Sequence, residues 1–127
     1  VYKRQLIKLI DSKEELFDVN RPKVLVDEDD FAIYFSRQVI PYLRGLNQED
    51  WNEAFNFYKH IGMYAYRVET LREICLLKQS RLEKAEGLEQ LRWIENGYKI
   101  RTAITEEESY TIDTPQDLEN LLKSSFE

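Results

Sequence analysis

Hydrophobic and polar positions recur along this chain with two different periods, and the switches between them mark out its elements. QLIKLI (5–10) is short, apolar and partly alternating, and predicts a strand. Ser12 and Glu15 stand at the S-x-x-E spacing of a capping box and open a short helix running to about Asp18. Asn20-Arg21-Pro22 is turn punctuation. KVLVD (23–27) and FAIYF (31–35) are rich in β-branched and aromatic residues and are joined by the acidic link Glu28-Asp29-Asp30, a pattern that predicts a β-hairpin. Pro41 then blocks regular structure and Gly45 closes a turn.

LNQEDWNEAFNF (46–57) is polar with spaced aromatics and is expected as a surface insertion with at most one helical turn. YKHIGMYAYR (58–67) predicts a strand in which Gly62 marks a close backbone approach or a bulge and Met63 packs in the core. In VETLREICLL (68–77), Leu71, Ile74 and Cys75 have helical spacing. From Ser80 onward, Leu82, Ala85, Leu88, Leu91 and Ile94 form one apolar stripe, predicting a single helix that ends at Asn96-Gly97. YKIRTAI (98–104) alternates as a strand, and Glu106–Glu108 is a solvated acidic loop. In YTIDTPQDLENLL, Thr114 reads as an N-cap, Pro115 as the first helical residue and Asp117 as first-turn negative charge, with Leu118, Leu121 and Leu122 on a buried inner face. Strands alternating with helices predict an α/β layer fold, and the hairpin makes its sheet mixed rather than purely parallel.

Composition narrows the functional classes. A chain of 127 residues, 43% hydrophobic and 33% charged, is the size and character of one globular domain. Its net charge of −6, with no basic cluster, argues against a nucleic-acid partner. No run approaches the ~18 apolar residues of a membrane span, and no signal peptide is visible. A single cysteine, Cys75, cannot form an intrachain disulfide, which fits a reducing, cytoplasmic setting. Residues 1–5 (VYKRQ) open no recognisable element, resemble the translation of a transposase adapter, and read as a non-native leader.

The chemistry-bearing residues exclude several mechanisms before they suggest one. Four isolated glycines form no phosphate-cradling loop. One cysteine and one histidine make no Cys/His metal pattern, and no nucleophile elbow accompanies them. Asp113 ends a β-run just before a capped helix. That is where open α/β sheets gather ligands and where a hard cation could find an oxygen, but the residues alone favour an Asx turn leading into the helix. Glu89-Gln90 sit between Leu88 and Leu91, so one of them approaches the apolar face and needs a partner there, unless both lie on a solvated flank. Arg37 follows an apolar strand and could hold a carboxylate bidentately or make a surface ion pair. His60 precedes an apolar strand, as a site residue or as a satisfied polar residue at a strand's start.

Taken together and in order, FAIYFSRQVIPYLR, KHIGMYAYR, LEKAEGLEQLRWIENGYKI and IDTPQDLE resemble the carboxy-terminal half of the 3-deoxy-manno-octulosonate (Kdo) cytidylyltransferase family, the CMP-Kdo synthetases. The resemblance runs from about Gln5 to Leu122. It implies a Rossmann-like nucleotidyltransferase fold with a mixed sheet, here lacking its amino-terminal nucleotide-binding half. It makes residues 6–127 the sugar-binding and dimerisation part of a single domain. It further implies CTP and Kdo as substrates, Mg²⁺ as cofactor, a homodimer, and a cytoplasmic place in lipopolysaccharide biosynthesis. By the same resemblance Ser36, Arg37, His60, Tyr64, Glu89 and Gln90 belong to the Kdo pocket, Asp113 shares the metal, and no general base is evident. The family's A-R-x-x-S-T-R-x-P-G-K and Q-G-D-E-P segments are absent, so the chain by itself is expected to be inactive. The alternatives are a cytidylyltransferase for another acidic sugar, such as a sialic acid, and a non-catalytic sugar-binding or dimerisation module.

Overall fold

The computed structural model describes residues 3–107 and, beyond them, Pro115, Leu118, Glu119 and Leu122. In chain order the elements are β1 (Lys3–Leu9), α1 (Lys13–Phe17), β2 (Lys23–Val26), β3 (Ala32–Ser36), α2 (Trp51–Ala54), β4 (Tyr58–Tyr66), α3 (Val68–Cys75), α4 (Arg81–Glu86), α5 (Gln90–Glu95) and β5 (Arg101–Ile104). A 3₁₀ turn at Gln48–Asp50 leads into α2. The five strands form one sheet in the order β3-β2-β4-β1-β5. Only β1 and β5 run parallel; the β1–β4, β2–β3 and β2–β4 ladders are antiparallel. The expected mixed α/β sheet is present.

The predicted hairpin is β2–β3. Asp27 shapes its turn by accepting from the backbone N–H groups of Asp29 (3.0 Å) and Phe31 (2.8 Å), an Asx-type arrangement. Asp30 takes φ 65° there and offers its carbonyl to the Thr102 N–H at 2.7 Å, so the turn also clips onto the start of β5. Ser12 caps α1 by accepting from the Glu15 N–H, as the capping spacing predicts. The Glu15 carboxylate instead pairs with Lys59 of β4. Lys3, Arg4 and Gln5 do open an element: they pair with Tyr66, Ala65 and Tyr64 of β4, because the antiparallel ladder runs past the apolar core of the strand.

Between Gln5↔Tyr64 and Ile7↔His60, β1 advances two residues while β4 advances four, which places a wide bulge at Ile61–Met63. Gly62 sits in that bulge with no heavy atom near a prospective Cβ, so it marks a bulge and not a close approach. Met63 is not core: the bulge turns it out to 62% exposure. Because the insertion is even in number, His60 and Tyr64 still share a face.

That face carries the main core, built from Ile7, Val24 and Phe35 of the sheet, Ile100, and Ile74, Leu88, Leu91 and Trp93 of the helical segments above it. α3 contributes Thr70 and Ile74, not the expected Leu71 and Cys75, both of which are exposed. A second cluster gathers Ile10, Leu16, Trp51 and Phe57. The 46–57 segment is therefore not a surface insertion: Trp51 and Phe57 are 2% and 1% exposed and their rings stack.

The continuous helix expected from Ser80 to Asn96 is two helices. Ser80 and Glu83 form a full capping box at the start of α4, and Gly87, at φ 64°, ends it in a left-handed cap. The stripe survives the break because α4 and α5 fold back on the same core. Arg92 of α5 clamps Glu83 of α4 through two guanidinium N–H bonds, which holds the Glu83 carboxyl below its ordinary value. The predicted end of α5 at Asn96-Gly97 is present, Gly97 taking φ 80°. In the last segment Pro115 has helical backbone, while Leu118 and Leu122 are exposed at 45% and 52%, not buried. Asp113, Thr114, Asp117 and Leu121 lie outside the described residues.

Candidate functional site

Three of the residues singled out in the sequence meet. His60 is the third residue of β4 and donates its backbone N–H to the Pro22 carbonyl at 2.9 Å. Tyr64 lies beyond the bulge on the same face. Gln90 enters from the first turn of α5, 6% exposed, because the left-handed turn at Gly87 points that helix at the sheet. Its amide nitrogen lies 2.9 Å from His60 Nε2 and donates to the Tyr64 hydroxyl, which also contacts His60 Nε2. Burial pushes the Tyr64 phenol well above its ordinary value, against the opposing effect of the Gln90 hydrogen bond. Burial thus favours the neutral Tyr64 hydroxyl, which can donate or accept.

An aromatic wall fixes these groups. Phe35 meets the His60 ring edge-on at 6.3 Å, and Trp93 stands perpendicular to both Tyr64 (6.0 Å) and Tyr66 (6.1 Å). The sequence reading missed this wall, although two signals were present: Tyr66 repeats the alternation of Tyr64, and Trp93 follows Gln90 by one helical turn. It also missed Gln5, whose Cα pairs with that of Tyr64 and whose buried side-chain amide has neither end hydrogen-bonded among the described residues.

The other expected pocket residues are placed differently. Ser36 ends β3, in register with Lys23 and away from the His60 face, and donates to Glu86 Oε1 at 2.7 Å. Arg37 gives its backbone N–H to Glu86 Oε2 (3.0 Å) and its guanidinium to the carbonyls of Glu86 (2.7 Å), Val19 (3.0 Å) and Gly87 (3.4 Å). These bonds tie the carboxyl end of α4 to β3, with a cation on the helix's free carbonyls. Nothing in the sequence pattern singled out Glu86 as their partner. Glu89 stands at the N-cap of α5 with its side chain 62% exposed, 3.7 Å from Arg92. A groove of about 820 Å³ lies elsewhere, lined by Phe31, Arg67, Glu73, Tyr98 and Lys99 among others, and takes in none of the expected site residues.

Among the described residues, no group of three or more histidine, cysteine or acidic side chains could hold a metal ion. Asp113, the metal ligand expected from the resemblance, is not one of them. The polar cluster can bind hydroxyl and carboxylate oxygens through an imidazole, a phenol and an amide, on an aromatic backing.

Comparison with known proteins agrees with the fold and with the family resemblance. The family model described as cytidylyltransferase matches residues 2–100. The 3-deoxy-manno-octulosonate cytidylyltransferase of Parabacteroides distasonis is 54% identical over 112 residues, 88% of this chain and 45% of that protein. The protein of the same name from Cytophaga hutchinsonii is 58% identical over 114 residues, 89% of this chain and 46% of its own. The solved structure of CMP:2-keto-3-deoxy-manno-octonic acid synthetase complexed with CTP is similar at a TM-score of 0.83 and 35% identity, over 100% of this chain and 51% of that one. The chain thus spans about half the length of the curated relatives it matches. With a family match over most of its residues and this mixed α/β sheet, the chain belongs to the cytidylyltransferase family.

Proposed function

We propose that this chain is the carboxy-terminal, sugar-side portion of an enzyme that transfers CMP from CTP to Kdo, releasing pyrophosphate. The observation that carries this reading is the His60–Tyr64–Gln90 cluster, assembled from two of the motifs that carry the family resemblance. Kdo presents a carboxylate and several hydroxyls, and an imidazole, a phenol and an amide on an aromatic wall suit such oxygens. In the reaction the anomeric hydroxyl oxygen attacks the α-phosphorus of CTP, the bond to the β-phosphate oxygen breaks, and the hydroxyl proton passes to solvent. The residues here bind and orient the sugar for that displacement. Ser36 and Arg37 serve the site through Glu86, by anchoring the α4–α5 pair, and Glu89 lies at its exposed rim.

Mg²⁺ belongs to this reading through Asp113. When bound, the ion would offset negative charge on the triphosphate. A homodimer, a cytoplasmic location and a role in lipopolysaccharide assembly complete the proposal. No helix among the described residues is long and apolar enough to cross a membrane.

The chain alone should form no CMP-Kdo, because the triphosphate-binding segments are not in it. Joining it to the amino-terminal half of the Parabacteroides distasonis relative should restore turnover with CTP and Kdo. His60→Ala in that chimera should raise KM for Kdo more than it lowers kcat. A folded chimera that turns over a sialic acid but not Kdo would favour the other-sugar alternative. Turnover by the chain alone would contradict the role assigned to it here.

A further inference from the structure

The polar cluster determines more than which groups meet. A primary amide nitrogen carries two hydrogens and accepts nothing. Gln90 Nε2 faces two atoms, the Tyr64 oxygen and, at 2.9 Å, His60 Nε2. The Tyr64 hydroxyl, kept protonated by its burial, is the other neighbour of His60 Nε2. Of these two neighbours of the ring nitrogen, the amide nitrogen can only donate to it, and the phenol can donate to it while accepting from Gln90.

From this arrangement we propose that Gln90 is a positioning residue that holds His60 in the tautomer protonated on Nδ1, with Nε2 as the acceptor. The reversed amide is the worse arrangement. It would place the NH₂ group, with two hydrogens to satisfy, where Oε1 now lies buried and without a hydrogen bond among the described residues. One orphaned acceptor costs less than two orphaned donors. The ring cannot easily turn over to exchange its nitrogens, because Phe35 packs on it edge-on at 6.3 Å and Tyr64 at 5.6 Å. Gln90 is held at the start of α5, which the Glu83–Arg92 clamp ties to α4.

His60 therefore presents its N–H from Nδ1, and the oxygen it serves must be an acceptor, such as a carboxylate or a hydroxyl oxygen. That use of the Nδ1 donor rests on the function proposed above; the tautomer itself does not, so failure of one leaves the other standing.

The chain has a single histidine, so its ring nitrogens give unambiguous signals in long-range ¹H–¹⁵N correlation spectra of the ¹⁵N-labelled protein. At alkaline pH the parent should show a proton-bearing Nδ1 and a bare Nε2. Gln90→Glu replaces the obligate donor with a carboxylate that only accepts, and should move the proton to Nε2. Tyr64→Phe keeps the amide in place and should leave the proton on Nδ1. An Nε2–H tautomer or the mixture typical of free imidazole in the parent would overturn the proposal. So would an unchanged tautomer in folded Gln90→Glu, or a proton moved to Nε2 in Tyr64→Phe. If Gln90→Glu does not fold, the parent and Tyr64→Phe spectra still decide.

Discussion

Gln5 shows how much a single side chain can matter where the sheet is closed on both faces. Its Cα is flanked by Tyr64 and Thr102, it is 1% exposed, and both ends of its amide lack a hydrogen bond among the described residues. A buried polar group without a partner costs about 1–3 kcal/mol. Gln5→Met keeps the shape without the polar atoms and should raise the thermal midpoint by several degrees; an unchanged or lower midpoint would show that the amide is satisfied in solution. Lys23 is the opposite case. It is equally buried, yet its ammonium donates to the carbonyls of Asp18 (2.7 Å) and Arg37 (3.0 Å). Burial lowers its pKa, partly offset by Asp18 and Glu15. At this scale the sequence supplied the residue types at the site but not their partners. Arg37 could have held a ligand carboxylate or made a surface ion pair, and only the folded chain shows its guanidinium on three backbone carbonyls.

Among the elements, the α4–α5 pair decides whether the site exists. Gly87 turns the chain in a left-handed conformation that L residues with a side chain enter at a cost of about 1–2 kcal/mol. Gly87→Ala should destabilise the protein by that amount, measured by denaturant unfolding, although the new Cβ would meet only an ordinary 3.7 Å contact with Arg37 Nη2. The clamp between the two helices has its own pH signature. The Glu83 carboxyl is held below its ordinary value of 4.5, first by its hydrogen bonds to Arg92. A depressed folded pKa means that the unfolded chain takes up protons first on acidification. The clamp's contribution is thus complete above about pH 4.5 and is lost as pH falls through the lower, folded value. Glu83→Gln should cost about 1.5–3 kcal/mol at neutral pH. It should also flatten the acid limb of the stability profile; a profile as steep as the parent's would place the acid sensitivity elsewhere. The break at Gly87 was invisible to periodicity because both helices keep their apolar residues on one core, so a stripe at three-residue spacing runs through the turn unchanged.

Among the described residues the molecule is built on two clusters, and the smaller depends on residues that a polarity reading placed outside. Trp51 and Phe57 are almost fully buried with Leu16 and Ile10. Trp51→Ala should cost about 3–5 kcal/mol, as removal of a buried aromatic does. Loss of near-UV circular dichroism or of cooperative unfolding would register it, and a near-neutral effect would return 46–57 to the surface.

Much of the architecture was legible without coordinates. The period-two runs located β1, the β2–β3 hairpin, β4 and β5, the capping residue Ser12 located the start of α1, and the apolar stripe from Ser80 located the helical segment there, because these signals are local: they depend on side-chain spacing and on backbone groups within one turn. The family was legible as well, from four motifs in fixed order. What only the tertiary structure decided was everything that depends on contacts distant along the chain. It set the sheet order, the two-residue bulge that turns Met63 outward while keeping His60 and Tyr64 on one face, and the approach of Gln90 across thirty residues to both. It also gave Ser36 and Arg37 to Glu86. Spacing along one strand or helix specifies which way a side chain points, but a partner on another element is chosen by packing, and packing is a property of the folded chain as a whole.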